Sequence, residues 1–181
     1  MNGTGSGTEA AGLQVLLVDD QPIIAAGVRK LLEGEADIQL HYCQYPREAF
    51  RMAHDVNATL ILQDLTMPEI DGITLVRFFR NHPATRNLPI IILSGKDTPR
   101  DKVDSFRAGA NDYLVKLPEK TEFVARIRTH AGAYARATDT AGALQRLQEQ
   151  VDDLTRRVAA LQDENDHLRS VAGLTHGGQN G

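Results

Sequence analysis

Two apolar runs of this chain end in carboxylates. Leu60-Ile61-Leu62-Gln63 delivers Asp64 into the turn Leu65-Thr66-Met67-Pro68-Glu69-Ile70-Asp71-Gly72, and Val15-Leu16-Leu17-Val18 delivers Asp19-Asp20. In an open parallel α/β sheet, ligands bind outside the carboxyl ends of the strands. Three acids brought to that edge would crowd into one site. Two unit negative charges ~4 Å apart repel by ~4 kcal/mol at an effective dielectric of 20. Such a cluster calls for a hard divalent cation with oxygen ligands, of which Mg²⁺ fits best. A cation-bound aspartate facing solvent is also a candidate nucleophile, because carboxylates form aspartyl-phosphate intermediates.

The elements that must position these acids are legible from 13 to about 117. Strands are expected at 13–18, 38–42, 59–63, 89–93 and 112–115. Helices are expected near 22–33, 46–55, 72–81 and 98–108, and another begins near Glu119. The central strands are unbroken apolar runs, the pattern of strands covered on both faces. Five such units imply a flavodoxin-like, doubly wound five-stranded parallel sheet with right-handed crossovers. Pro22 suits the first turn of a helix and Gly109 a helix C-cap. In the order 2-1-3-4-5, strands one, three, four and five bring Asp19, Asp20, Asp64, Ser94 and Lys116 together. Charge then divides the labour: Asp64 attacks phosphorus, while Asp20, Asp64 and the Thr66 carbonyl hold Mg²⁺. Lys116 pairs with one phosphoryl oxygen and the Ser94 hydroxyl donates to another.

The last third of the chain changes character. From residue 139 Gln, Asp, Glu, Arg and Leu dominate, without proline. Leu144, Val151, Val158 and Asn165 fall at heptad position a, and Leu147, Leu154, Leu161 and Leu168 at position d. Val at a with Leu at d favours a parallel two-stranded coil, and one Asn at a fixes its register. Residues 144–168 would form a rod of roughly 37 Å. The bland alternative, an amphipathic helix folded back on the domain, usually needs a wider apolar stripe. Gly132 and Gly142 weaken the connecting helix by ~1 kcal/mol each relative to Ala. The expected organisation is therefore a disordered leader at 1–12, a folded domain at 13–131 and a helical joint at 132–143. A parallel dimeric coiled coil at 144–171 and a disordered tail at 172–181 follow.

Composition narrows the function. The chain has 181 residues, 41 % of them apolar, and a net charge of -4, which gives no case for general nucleic-acid binding. Its longest apolar stretch, Leu88 to Leu93, is too short for a membrane span, and no secretory signal opens the sequence. The cytoplasm is the expected location. Cys43 has no second cysteine to bridge and reads as a small buried hydrophobe. The six histidines lack metal-ligand spacing.

These motifs together resemble the receiver domains of two-component response regulators. The resemblance covers about 13–131 and rests on Asp19-Asp20, Asp64-x-x-Met67-Pro68-x-x-Asp71-Gly72, Ser94 and Lys116. It implies phosphorylation of Asp64 by a phosphohistidine on a partner histidine kinase, or by acetyl phosphate. It also implies a switch in which Ser94 moves onto the phosphoryl group and Tyr113 turns inward. The signal would leave through helix four, strand five and helix five. The chemistry of a tyrosine equally allows Tyr113 to be a half-buried core ring. The runs 61–68 and 110–118 are most similar to receivers of Wsp-type diguanylate cyclases, whose stalk leads into a GGDEF domain. No GGDEF sequence occurs here, so no cyclase activity is expected. Most receivers carry Pro directly after the strand-five lysine; here Leu117 intervenes. Thr66 and Lys96 match positions that tune dephosphorylation in the family.

Three rival readings differ in class. An aspartate-nucleophile phosphatase would normally carry an acid two residues after the nucleophile, where this chain has Thr66. A leucine-zipper DNA binder needs a basic helix, whereas residues 119–143 mix Arg126, Arg128 and Arg136 with Glu119, Glu122 and Asp139. A constitutive dimerisation module with an inactive receiver is the third. It would have no use for the full set of acids, hydroxyl and lysine.

Overall fold

A computed structural model describes residues 12–176, with side chains described for 12–171. A five-stranded sheet of order β2-β1-β3-β4-β5 is assembled from parallel pairs throughout. Its strands are β1 Leu13–Val18, β2 Ile38–Cys43, β3 Leu60–Asp64, β4 Ile90–Ser94 and β5 Asp112–Val115. The helices between them are α1 Pro22–Leu31, α2 Ala49–Asp55, α3 Gly72–Asn81 and α4 Pro99–Ala108, and α5 runs Lys120–His176. Every residue of β3 and β4 is buried, as their unbroken apolar runs require.

The two faces are covered by different helices. Val15, Leu17, Leu62 and Leu93 pack with Val28 of α1 and with Phe123, Ile127 and Ala131 of α5. Leu16, Val18, Ile61 and Ile92 pack with Ala53 of α2, with Val76 and Phe79 of α3, and with Ala108 of α4. Local chemistry sets the helix ends. Pro22 opens α1, the Asp71 carboxylate accepts from Ile73 N–H to start α3, and Thr98 Oγ accepts from Asp101 N–H to start α4. Gly109 ends α4 at φ 109°, a conformation that favours glycine.

The structure corrects several sequence-based boundaries. The expected helix at 46–55 divides into a 3₁₀ turn, Pro46–Glu48, followed by α2. Strand four begins at Ile90, since Pro89 has no N–H for a ladder. Strands three and four each end one residue later than expected, so Asp64 and Ser94 are the last residues of their strands. Cys43 is buried, as a small hydrophobe would be.

Two polar networks tie the sheet to its helices. Arg80, half-buried near the end of α3, donates to the carbonyls of Gly109 at 2.8 Å, Leu88 at 2.7 Å and Arg86 at 3.1 Å, and to Asn111 Oδ1 at 2.7 Å. This binds the starts of β4 and β5, at the sheet edge away from Asp64. At the start of β5, Asp112 accepts from Arg126 at 2.7 Å and meets His130 Nε2 at 3.2 Å.

The chain divides into two units, with the boundary between Arg136 and Ala137. In the second unit the heptad residues Leu144, Leu147, Val151, Leu154, Val158, Leu161 and Leu168 are 49 % to 64 % exposed in the single chain. Asn165 is exposed as well. The expected leader lies outside the described residues except for Gly12. The backbone of α5 continues past Val171 to His176, and the remaining tail residues 177–181 lie outside the described residues. Among the described residues no helix is long and apolar enough to cross a membrane.

Truncating Arg80 to Ala strips four acceptors of a charged donor. Urea unfolding should show a loss of about 2–3 kcal/mol, with divalent-cation binding at the opposite edge unchanged. For Asp112, burial raises the carboxyl pKa, but hydrogen bonds from Arg126, Tyr113 N–H and His130 outweigh it, leaving a net value below the usual 3.8. A depressed carboxyl stabilises the fold above its unfolded value and loses that contribution as pH falls through the folded one. The stability gap between wild type and Asp112→Asn should therefore be full at neutral pH. It should close below pH 3.8 in denaturant titrations at stepped pH.

Candidate functional site

Register builds the site. Val18 lies beside Gln63, which puts Asp19 next to the tip that carries Asp64. Asp64 lies beside Leu93, the residue before Ser94, and Ser94 lies beside Val115, the residue before Lys116. Lys116 N–H donates to the Ser94 carbonyl at 2.8 Å, continuing the ladder past the strand end. Four strand tips thus hold five chemically active side chains at one edge.

The carboxylates converge. One oxygen from each of Asp19, Asp20 and Asp64 falls within 4.8 Å of the others. Lys116 Nζ sits between two of them, 2.7 Å from Asp19 Oδ2 and 2.9 Å from Asp64 Oδ1, and its side chain is only 9 % exposed. Asp19 Oδ2 has no aligned hydrogen bond despite this contact, so the attraction there is that of an ion pair. Asp19 Oδ1 accepts from Gln21 N–H at 2.9 Å. Asp20 Oδ1 is buried with no hydrogen-bond partner among the described residues.

Burial and charge together set the titration directions. Burial lifts the Asp19 pKa, the Lys116 ammonium and the Gln21 hydrogen bond pull it down, and the Asp64 charge adds to the lift; the net direction is up. Burial pulls the Lys116 pKa down, but Asp19 and Asp64 together outweigh it, so that value also rises. The directions are compatible, because Lys116 faces two carboxylates whereas Asp19 shares its one ammonium with Asp64. Three carboxylates against one ammonium leave a net charge of -2 in the pocket. With an orphaned carboxylate oxygen and an all-oxygen donor set, these residues fit a hard divalent cation such as Mg²⁺.

The loop after Asp64 is built to a tight tolerance. Gly72 N–H donates to the Leu65 carbonyl at 3.0 Å, and Thr66 bridges to Asp71. A Cβ on Gly72 would overlap the Asp64 carbonyl oxygen and approach the Leu65 backbone to 2.8 Å. Gln63, fully buried, donates its side-chain amide to the Gly72 carbonyl at 2.6 Å and locks the far end of the loop to β3. Sequence reasoning missed this role of Gln63. The signal was available: a polar residue inside an otherwise apolar central strand needs a buried partner. Thr66, the expected carbonyl ligand, is exposed in this loop.

The two switch candidates meet at one peptide. Ser94, 1 % exposed, accepts at Oγ from Lys96 N–H at 3.1 Å. Tyr113 lies inward at 7 % exposure and donates from its hydroxyl to the Lys96 carbonyl at 2.7 Å. It is a core ring with a polar handle on the loop that follows Ser94. Leu117, in the place where most receivers have proline, lies over α1. A Cβ on Gly27 would come within 2.7 Å of Leu117 Cδ1. The peptides on either side of Leu117 are trans.

Comparison with known proteins agrees with this geometry. The family model for the response regulator receiver domain matches residues 15–128. The transcriptional regulatory protein SrrA of Staphylococcus aureus is 36 % identical over 115 residues, which are 64 % of this chain and 46 % of that protein. The chain thus spans about half the length of the curated relatives it matches. Among solved structures, the receiver domain of Francisella response regulator 1452 is similar with a TM-score of 0.60 at 30 % identity, covering 70 % of this chain and 99 % of that one. The receiver domain of sensor histidine kinase PA1611 from Pseudomonas aeruginosa PAO1, with a magnesium ion coordinated in its active site cleft, gives a TM-score of 0.60 at 28 % identity. It covers 67 % of this chain and 99 % of that one. With the family model spanning well over half of the sequence, and the sheet order and acidic edge in agreement, the chain belongs to the response regulator receiver domain family.

Proposed function

We propose that this chain is a phosphoacceptor of two-component signalling, with Asp64 as the site of modification and a histidine kinase as the donor. The observation that carries the reading is the Lys116 ammonium held between Asp19 and Asp64, beside the orphaned Asp20 oxygen. In the transfer, an Asp64 carboxylate oxygen attacks the phosphorus of a phosphohistidine. The new O–P bond forms as the N–P bond breaks, and the imidazole leaves with its electron pair and takes up a proton. Asp19, Asp20, Asp64 and the Thr66 carbonyl would hold Mg²⁺, which supplies charge neutralisation to the phosphoryl oxygens. Lys116 leaves its carboxylates to pair with a phosphoryl oxygen. The Ser94 hydroxyl leaves Lys96 N–H to donate to another, and the loop so released lets the Tyr113 hydroxyl shift.

The heptad face of α5 is proposed to pair with a second copy of the chain in a parallel coil. Its support is the sustained exposure of Leu144, Leu147, Val151, Leu154, Val158, Leu161 and Leu168, with Asn165 at an a position. On this reading, phosphorylation at the sheet edge alters assembly through the coil. A Wsp-like kinship, carried by 61–68 and 110–118, would direct the signal to a cyclic di-GMP output lying outside this sequence. The cytoplasm, where ATP charges histidine kinases, is the proposed place of action. Neither nucleic acid nor membrane is a proposed partner.

Asp64→Asn should abolish labelling by acetyl phosphate and any change in sedimentation on adding beryllofluoride with Mg²⁺. Undiminished labelling would move the site elsewhere, and an unlabelled wild type with an intact dimer would favour a constitutive dimerisation module. Placing Asp at both Val151 and Val158 should yield monomers by sedimentation equilibrium, because each charge would be buried in the coil. A persistent dimer would locate the contact on another surface.

A further inference from the structure

Tyr42 lies on the edge strand beside the acid-bearing strand β1. It lies on β2 beside Leu17 of β1, and Asp19 N–H donates to the carbonyl of the next residue, Cys43, at 3.2 Å. Side chains two residues apart on a strand share a face, so Tyr42, Leu17 and Asp19 belong to the same side of the sheet. The Tyr42 ring packs against the core beneath α1 and α5. Its hydroxyl is closed off from solvent and has no hydrogen-bond partner, and Asp20 Oδ1 is in the same condition. Burial raises the phenol pKa, and the charges of Asp19 and then Asp20 raise it further. A protonated hydroxyl therefore stands within the field of two of the three acids.

A buried, unpaired hydroxyl on the side of the sheet that carries Asp19 calls for a partner. A small divalent cation keeps several of its waters. Those waters turn their O–H bonds outward and need acceptors, and a phenol offers one donor and one acceptor. We propose that Tyr42 is an outer partner of the cation held by Asp19, Asp20 and Asp64. Its hydroxyl, on the side of the sheet that carries Asp19, would meet a water of the cation's hydration shell. Tyr42 acts as a positioning residue, orienting one water of the hydration shell. The inference rests on the cation reading above and adds to it a residue from β2, the one strand that otherwise contributes nothing to the pocket.

The test is Tyr42→Phe in the full chain, with Mg²⁺ alone as the probe. The variant keeps the ring and removes only the hydroxyl. The protein has four tyrosines and no tryptophan, so near-ultraviolet difference absorbance reports directly on tyrosine environment, while calorimetry measures affinity independently. Wild type should bind Mg²⁺ with a tyrosine difference spectrum. Tyr42→Phe should bind about tenfold more weakly and lose most of that spectrum, and Tyr45→Phe should keep both. The thermal midpoint of Tyr42→Phe without Mg²⁺ should be unchanged or raised, because a buried unpaired oxygen has gone. Equal affinity in Tyr42→Phe overturns the proposal, and a lowered midpoint with equal affinity assigns the hydroxyl a structural role instead. Failure of wild type to bind Mg²⁺ overturns the cation reading together with this one.

Discussion

The site depends on mutual repulsion among carboxylates that the backbone forces together. Asp19, Asp20 and Asp64 reach a common point because β1 and β3 are neighbours in register and both end there. Two unit charges ~4 Å apart repel by ~4 kcal/mol at an effective dielectric of 20, a large quantity beside the ~5–15 kcal/mol that typically holds a domain together. Lys116 offsets part of this from the tip of β5, two strands away from β3. The pocket is left at a formal net charge of -2, which favours a cation. The groups that hold the resting protein together would be those that respond when charge arrives.

The surrounding structure can be understood as support for that arrangement. Gln63 ties the end of the Asp64 loop to its own strand through the Gly72 carbonyl, and Gly72 is small enough to pass under the Asp64 carbonyl. Leu117 anchors the loop after Lys116 over Gly27 on α1, the helix that begins just after the acid pair. Lys96 joins Ser94 to Tyr113 through the two ends of its backbone. Ser94 and a buried ring are thus linked through a single residue, and on the proposed reading a change at Ser94 would reach Tyr113 by that short path. At the opposite edge Arg80 fixes the starts of β4 and β5, so movement at the tips need not disturb the body of the sheet.

Much of this was legible in the sequence because it is periodic or strand-terminal. Continuous apolar runs identified buried parallel strands, and the residues immediately after them identified the pocket without long-range information. Proline and glycine marked helix ends at Pro22 and Gly109. Other features were not legible, for physical reasons. The break between Pro46–Glu48 and α2 is a change of hydrogen-bonding pattern inside one helical run, which periodicity does not mark. The role of Gln63 required knowing that Gly72 returns to its strand, a contact set by loop geometry. The partnerless Tyr42 hydroxyl depends on which atoms surround it across the β1–β2 pair, and no spacing rule encodes that. The heptads of α5 were plain in the sequence, but the structure of one chain leaves their partner a matter for experiment.

The central claim is that one ammonium and three carboxylates at the strand tips would form a single site that takes first a cation and then a phosphoryl group. A crystal structure of the Mg²⁺–beryllofluoride complex tests this most directly. The account predicts beryllium bonded to an Asp64 oxygen, Mg²⁺ coordinated by Asp20 and Asp64, and Lys116 Nζ on a fluorine instead of on Asp64. Beryllofluoride on another carboxylate, or Lys116 still bridging Asp19 and Asp64 beside a bound Mg²⁺, would contradict it.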